Sequence, residues 1–144
     1  MPRFIVFVRA TADTEAEHKP KLEDLDTMGS FNARMVEAGI MLSAEGLLPS
    51  SRDSLRLSFH DDTQPTVQSG PFPSNELVAG YWILKAKDVE EVTKWLKECP
   101  VMKEGNVLEV RKIAEMEDFG DAFSSESREK ERELREQTEK LAGK

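Results

Sequence analysis

The stretch at residues 77–100, LVAGYWILKAKDVEEVTKWLKECP, decides how this chain folds. Residues 77–87 are mostly apolar and carry Tyr81 and Trp82, a composition that suits a strand inside a sheet. The period then changes. Asp88 is a good helix N-cap, and Glu91 stands three residues on, in the spacing of a capping box. Val89, Val92, Trp95, Leu96 and Cys99 follow on one helical face, and Pro100 ends the run. An apolar strand followed by a short, one-faced helix predicts a sheet with helices laid on it.

The rest of the chain reads outward from this unit. Upstream, RFIVFVR at residues 3–9 predicts a central strand. Residues 10–19 are polar and read as a loop, after which Pro20 suits the first position of a helix. Leu22, Leu25, Met28, Phe31, Met35 and Ala38 share one helical face, with Gly39 as the C-cap. Residues 40–48 predict a second strand, with Gly46 as a bulge or a point of close approach. Residues 54–60 alternate, with Leu55, Leu57 and Phe59 on one side and Arg56 and Ser58 on the other, predicting a half-buried strand. Residues 65–69 predict a short strand that closes a hairpin, and Gly70, Pro71, Phe72 and Pro73 a constrained loop. Downstream, residues 106–113 predict a last strand with Leu108 and Val110 on one face and Val107, Glu109, Arg111 and Ile113 on the other. The order β-α-β-β-β-β-α-β is an α+β arrangement, the split βαβ or ferredoxin-like order with an inserted hairpin. Helices on one face leave the other face of such a sheet open, and a homodimer closing two sheets face to face would cover it.

Charge divides the chain. Of 144 residues, 33% are charged and 38% apolar, and the formal charge is −8. Residues 121–144 hold 7 acids, 6 bases and only 5 apolar residues. This predicts a globular domain over residues 1–120 and a charged helical extension over 121–144. Leu134 and Leu141 give the extension too narrow a stripe for a buried helix, so it reads as solvated, anchored by Phe119 and Phe123. The acidic balance argues against nucleic acid as a partner. No apolar run approaches the roughly 20 residues of a membrane span, and the apolar stretch near the N-terminus is too short for a signal peptide. These features point to a cytoplasmic protein with no membrane partner. Cys99, the single cysteine, cannot form an internal disulfide. It reads as a buried structural thiol at a helix end, where the dipole disfavours a thiolate.

Five motifs in order carry a resemblance. LSAEGLLPS at residues 42–50 resembles the GEGL-x-PS stretch of the YCII-related, or DGPF-domain, proteins. Ser69-Gly70-Pro71-Phe72 is similar to that family's DGPF signature, and Glu76 and Gly80 fall where the signature continues. Glu98-Cys99-Pro100 followed by Glu109-Val110-Arg111, and then Glu117-Asp118-Phe119-Gly120, resemble the family's later motifs. The resemblance implies a dimeric α+β barrel of ferredoxin-like subunits. It also implies functions that range from His–Asp and dehydrochlorinase-like enzymes to proteins found beside extracytoplasmic-function sigma factors. Ser69 stands where the family has aspartate, and Asn75 where its common pattern has lysine. A serine does not act as a general base at neutral pH without activation.

Two readings of the candidate residues stand side by side. In one, the Ser69-Gly70-Pro71-Phe72 loop is structural, with Phe72 as a core plug or dimer contact. In the other, it lines a cleft for a small polar or anionic molecule, with Glu45 as acid or base, Arg56 stabilising an anion, and Glu76 and Arg111 as further ligand contacts. Glu45 lies in an apolar stretch and, if buried, needs a partner such as Arg56 or Arg111. Glu109 and Arg111 read as a surface or interface pair. His18 and His60 lack metal-ligand spacing, and neither a metal nor a nucleotide cofactor is implied. The functions expected are therefore a small-molecule binder, with lyase or dehydrochlorinase-like acid/base chemistry, or else a non-catalytic interaction module linked to transcription regulation.

Overall fold

A computed structural model describes residues 1–16 and 19–143. His18 lies outside the described residues. The chain divides into two compact units, Met1–Lys112 and Ile113–Lys144. Among the described residues the first contains six strands, three α-helices and a 3-10 turn at Ser74–Glu76: β1 (Arg3–Arg9), α1 (Ala12–Glu15), α2 (Leu22–Glu37), β2 (Met41–Gly46), β3 (Leu55–Ser58), β4 (Thr66–Ser69), β5 (Val78–Lys85), α3 (Val89–Leu96) and β6 (Leu108–Lys112). It is a mixed α+β unit. Four strands form an antiparallel sheet in the order β2-β5-β1-β6, and β3 and β4 form a separate antiparallel pair. The strands and the two longer helices follow the order expected from periodicity.

The core lies between the sheet and its helices. Phe4 and Val6 of β1 and Trp82 and Leu84 of β5 meet Phe31 and Met35 of α2 and Val92 of α3. Strand side chains alternate, so one face of the sheet takes the core. Phe31 sits edge-on to Trp82 and to Trp95, with ring centroids 6.3 and 6.5 Å away. The Trp82 indole N–H donates to Asn32 Oδ1 at 2.9 Å, which satisfies the ring's one polar atom. Leu108 and Val110 pack against this core as expected. On the opposite face Ile5, Phe7, Tyr81 and Ile83 are half-buried. The Asp88 carboxylate caps α3 by accepting from Glu91 N, while Glu91 reaches back to Lys87 N rather than to the cap residue itself.

Several expectations need correction. The polar segment 10–19 holds α1, whose Thr11 and Thr14 form a reciprocal hydroxyl cap. Helix α2 starts at Leu22 rather than Pro20, because Lys21 keeps an extended backbone. Its Leu22 and Leu25 are exposed, so the apolar stripe is covered only from Met28 onward. The alternation at residues 54–60 is real but its burial is reversed. Leu55, Leu57 and Phe59 are 57%, 52% and 78% exposed, whereas Arg56 is half-buried. The β3–β4 pair is not part of the main sheet, and its apolar side is exposed.

The second unit is described by itself. A 3-10 segment, Met116–Ala122, precedes α4 (Ser125–Ala142). Phe119 and Phe123 pack edge-to-face at 5.4 Å, and the Ser124 hydroxyl caps α4 by accepting from Ser127 N. No residue of α4 is buried. Among the described residues, no helix is long and apolar enough to cross a membrane.

Candidate functional site

Ser50 is the one buried polar residue of the described core, and it ties three segments together. Its hydroxyl accepts from Phe72 N at 2.9 Å and donates to the Glu15 carboxylate. Its own N–H donates to Glu15 Oε1 and Oε2 at 3.0 and 3.1 Å. Its carbonyl accepts from the Ser54 hydroxyl, and the Ser54 carbonyl accepts from Gly70 N at 3.1 Å. Helix α1, the turn at 49–54 and the loop at 69–72 are thereby locked to one another. The Gly70-Pro71 peptide is cis. Phe72, the next residue able to donate after Pro71, finds its acceptor in Ser50.

The structure joins some of the expected site residues and separates others. The Arg56 guanidinium lies 4.0 Å over the Phe72 ring and pairs with Glu76 at 3.1 Å. Ser69 pairs with Leu55 in the β3–β4 ladder. Arg111 lies 3.8 Å from Glu109, which Arg9 also holds at 2.9 Å. Glu45 is exposed on β2, opposite Tyr81 of β5. Its expected partners are therefore engaged elsewhere: Arg56 with Glu76, and Arg111 with Glu109. An exposed carboxylate is solvated by water and needs no buried cation, which removes the reason for expecting that pairing.

Two cavities adjoin this framework. The larger, about 650 Å³, lies between α1, the start of α2, the 47–52 segment and the 101–106 loop. Lys19, Lys21, Arg52 and Lys103 line it, together with Asp13 and Asp24. Among the described residues, no ion pair engages Lys21, Arg52 or Lys103. The 103–106 turn is rigid: Lys103 N donates to Asn106 Oδ1 at 2.8 Å, Asn106 N donates to the Lys103 carbonyl at 3.0 Å, and Gly105 takes a φ of +91°. The smaller cavity, about 290 Å³, is lined by Met28 and Asn32 of α2, Ala44 and Glu45 of β2, Trp82 of β5, and Met102. Sequence reasoning missed the basic cleft. Its cations come from three separated segments, and no local motif marks them.

A family model for the YCII-related domain matches residues 4–117. The chain belongs to the YCII-related family. No curated protein matches it. The match spans the Ser50 knot and the strands that carry it. In this YCII-related chain Gly70 N donates to the Ser54 carbonyl, Phe72 N donates to the Ser50 hydroxyl, and Ser69 is a β4 residue paired with Leu55.

Cys99 packs at the edge of the YCII-related domain's core. Burial pushes its thiol up to about 11. The thiolate is the reactive form. Alkylation of the folded protein by iodoacetamide should therefore be slow at pH 8 and rise only toward pH 11, while the urea-unfolded chain reacts at the ordinary thiol rate. Mass spectrometry of timed samples reads this directly. The sign for stability follows from the same shift. The unfolded chain gives up its thiol proton first, so the contribution is intact below about pH 9 and is lost as pH rises through 11. His60 lies 3.3 Å from the Thr66 hydroxyl in the exposed hairpin turn. Among the described residues, no group of three His, Cys, Asp or Glu side chains is placed to hold a metal ion.

Proposed function

We propose that this YCII-related domain binds a small polar or anionic molecule in the basic cleft, one wall of which is the segment pinned to the 69–72 loop through Ser50. The observation that carries this reading is the convergence of Lys21, Arg52 and Lys103, which no ion pair engages among the described residues, in a chain of net charge −8. Local positive potential in an acidic protein concentrates anions at that place. Arg56, Phe72 and Glu76 act in this reading as positioning residues. Their mutual contacts hold the loop, and the loop holds the cleft wall. The carboxylates near the ligand for acid/base work are Asp13 and Asp24, which line the cleft itself, and Glu45, at the adjoining smaller cavity.

The test is a titration with inorganic phosphate, followed by NMR amide shifts. Shifts should cluster at residues 19–24, 47–52 and 101–106. The Arg52→Gln, Lys103→Gln double variant should bind about tenfold or more weakly, and added salt should weaken the wild type. Shifts scattered over the surface, or unchanged affinity in the double variant, would remove the reading.

We also infer a ferredoxin-like subunit that pairs into a dimeric α+β barrel. Support comes from the strand order β2-β5-β1-β6 with both longer helices on one face, and from the apolar side chains left on the other. The uncovered Leu55, Leu57 and Phe59 add to the surface that a second subunit would bury. Light scattering at micromolar concentration should give about twice the 16.3 kDa chain mass, and a clean monomer would refute the dimer.

A further inference from the structure

The two cavities share a wall. Ala79 lines both, Gly46 of the smaller is followed by Leu47 of the larger, and Met102 of the smaller sits between Val101 and Lys103 of the larger. Their linings differ in kind. The larger carries four cations, Lys19, Lys21, Arg52 and Lys103, against the two carboxylates of Asp13 and Asp24. The smaller is mainly apolar, with Met28, Ala44, Trp82 and Met102, and among the described residues no cation lines it. Volumes of about 290 and 650 Å³ match the usual range for small-molecule sites, roughly 300–1,000 Å³.

We infer that the two cavities form one bipartite site for an amphiphilic anion, a small molecule with an anionic head and a short aliphatic or aromatic body. This rests on the reading of the basic cleft as an anion site and extends it to the ligand's apolar part. The head lies among Lys21, Arg52 and Lys103, and the body leaves water against Met28, Trp82 and Met102. The cations fix the direction: Lys19, Lys21, Arg52 and Lys103 outnumber Asp13 and Asp24 around the larger cavity, and among the described residues no cation lines the smaller one, so the head stays in the larger and only the body enters the smaller. The Trp82 ring that the body meets is held in place by its bond to Asn32.

The test is calorimetric titration with acetate, butanoate, hexanoate and octanoate, with octanol as the neutral control. Affinity should rise with chain length by up to about fourfold per buried methylene, and octanoate should bind more tightly than octanol. The Arg52→Gln, Lys103→Gln variant should weaken all the carboxylates by a similar factor. Met28→Phe and Met102→Trp, each filling the smaller cavity, should abolish the length dependence and leave inorganic phosphate binding unchanged. In the Trp95→Phe protein, ω-bromo-octanoate should quench the remaining Trp82 fluorescence, a readout independent of whether the filling variants fold. A flat length series with phosphate still bound overturns the bipartite site and leaves the anion site standing. Octanol binding as tightly as octanoate, or a length dependence that survives in both filling variants, also overturns it. Failure of phosphate and every carboxylate to bind removes both readings together.

Discussion

Gly70→Ala should cost about 3 kcal/mol of stability, the upper end of what overpacking usually does. A Cβ at this position would run into the Ser50 carbonyl oxygen and the Ser54 hydroxyl, and would lie 2.9 Å from the Ser50 carbonyl carbon. The Ser54 hydroxyl can rotate away, but the Ser50 backbone cannot. Glu15 holds its N–H, and Phe72 holds its hydroxyl. Relief must therefore come from moving the 69–72 loop, which breaks the Gly70–Ser54 and Phe72–Ser50 bonds together. Because the same turn walls the basic cleft, phosphate binding should weaken in whatever fraction remains folded. Gly29→Ala is the matched control. Gly29 lies inside α2 with nothing within 4 Å of an added Cβ, so the substitution should stabilise by about 0.5–1 kcal/mol. Urea unfolding of the two variants reads both signs, and a Gly70→Ala chain within 0.5 kcal/mol of wild type would contradict the Ser50 contact.

Leu84→Ala should lose about 3–4 kcal/mol. Leu84 is fully buried near the C-terminal end of β5, paired with Phe4 of β1 on one side and Met41 of β2 on the other. Its side chain belongs to the cluster that includes Met35 of α2 and Val92 of α3. Truncation there opens a space that two strands and two helices would all have to move to fill. The cost therefore includes a cavity as well as the lost transfer energy. Leu141→Ala in α4, where the side chain is 70% exposed, should change stability by less than about 0.5 kcal/mol. Similar losses in the two variants, measured by thermal or urea unfolding, would mean that the core is not where these contacts place it.

Local patterns were readable where an element has a single apolar face. The stripe of Met28, Phe31 and Met35 records which side chains of α2 leave water, whereas both faces of RFIVFVR are apolar and only the structure shows that Phe4 and Val6 take the core side. The same rule misled at residues 54–60, because alternation marks two faces but does not say which one is covered. Phe72, brought from fourteen residues beyond Ser58, shields Arg56 and leaves the leucines outside. The glycine and proline of the 69–72 loop marked it as constrained. Its acceptor, Ser50, and the carboxylate behind Ser50, Glu15, carried no sign of that role.

The order of strands and helices, the one-sided character of α2 and α3, the YCII-related motifs and the charged extension are all properties of the sequence itself. They depend on short-range periodicity and composition, which a chain displays before it folds. The pairing of Arg56 with Glu76 rather than Glu45, the Ser50 lock and the gathering of Lys21, Arg52 and Lys103 at one cleft were decided only by the tertiary structure. Each depends on which distant segments the antiparallel order β2-β5-β1-β6 and its connections bring side by side. Electrostatic partners and cleft linings act through space, and separation along the chain holds no record of that distance.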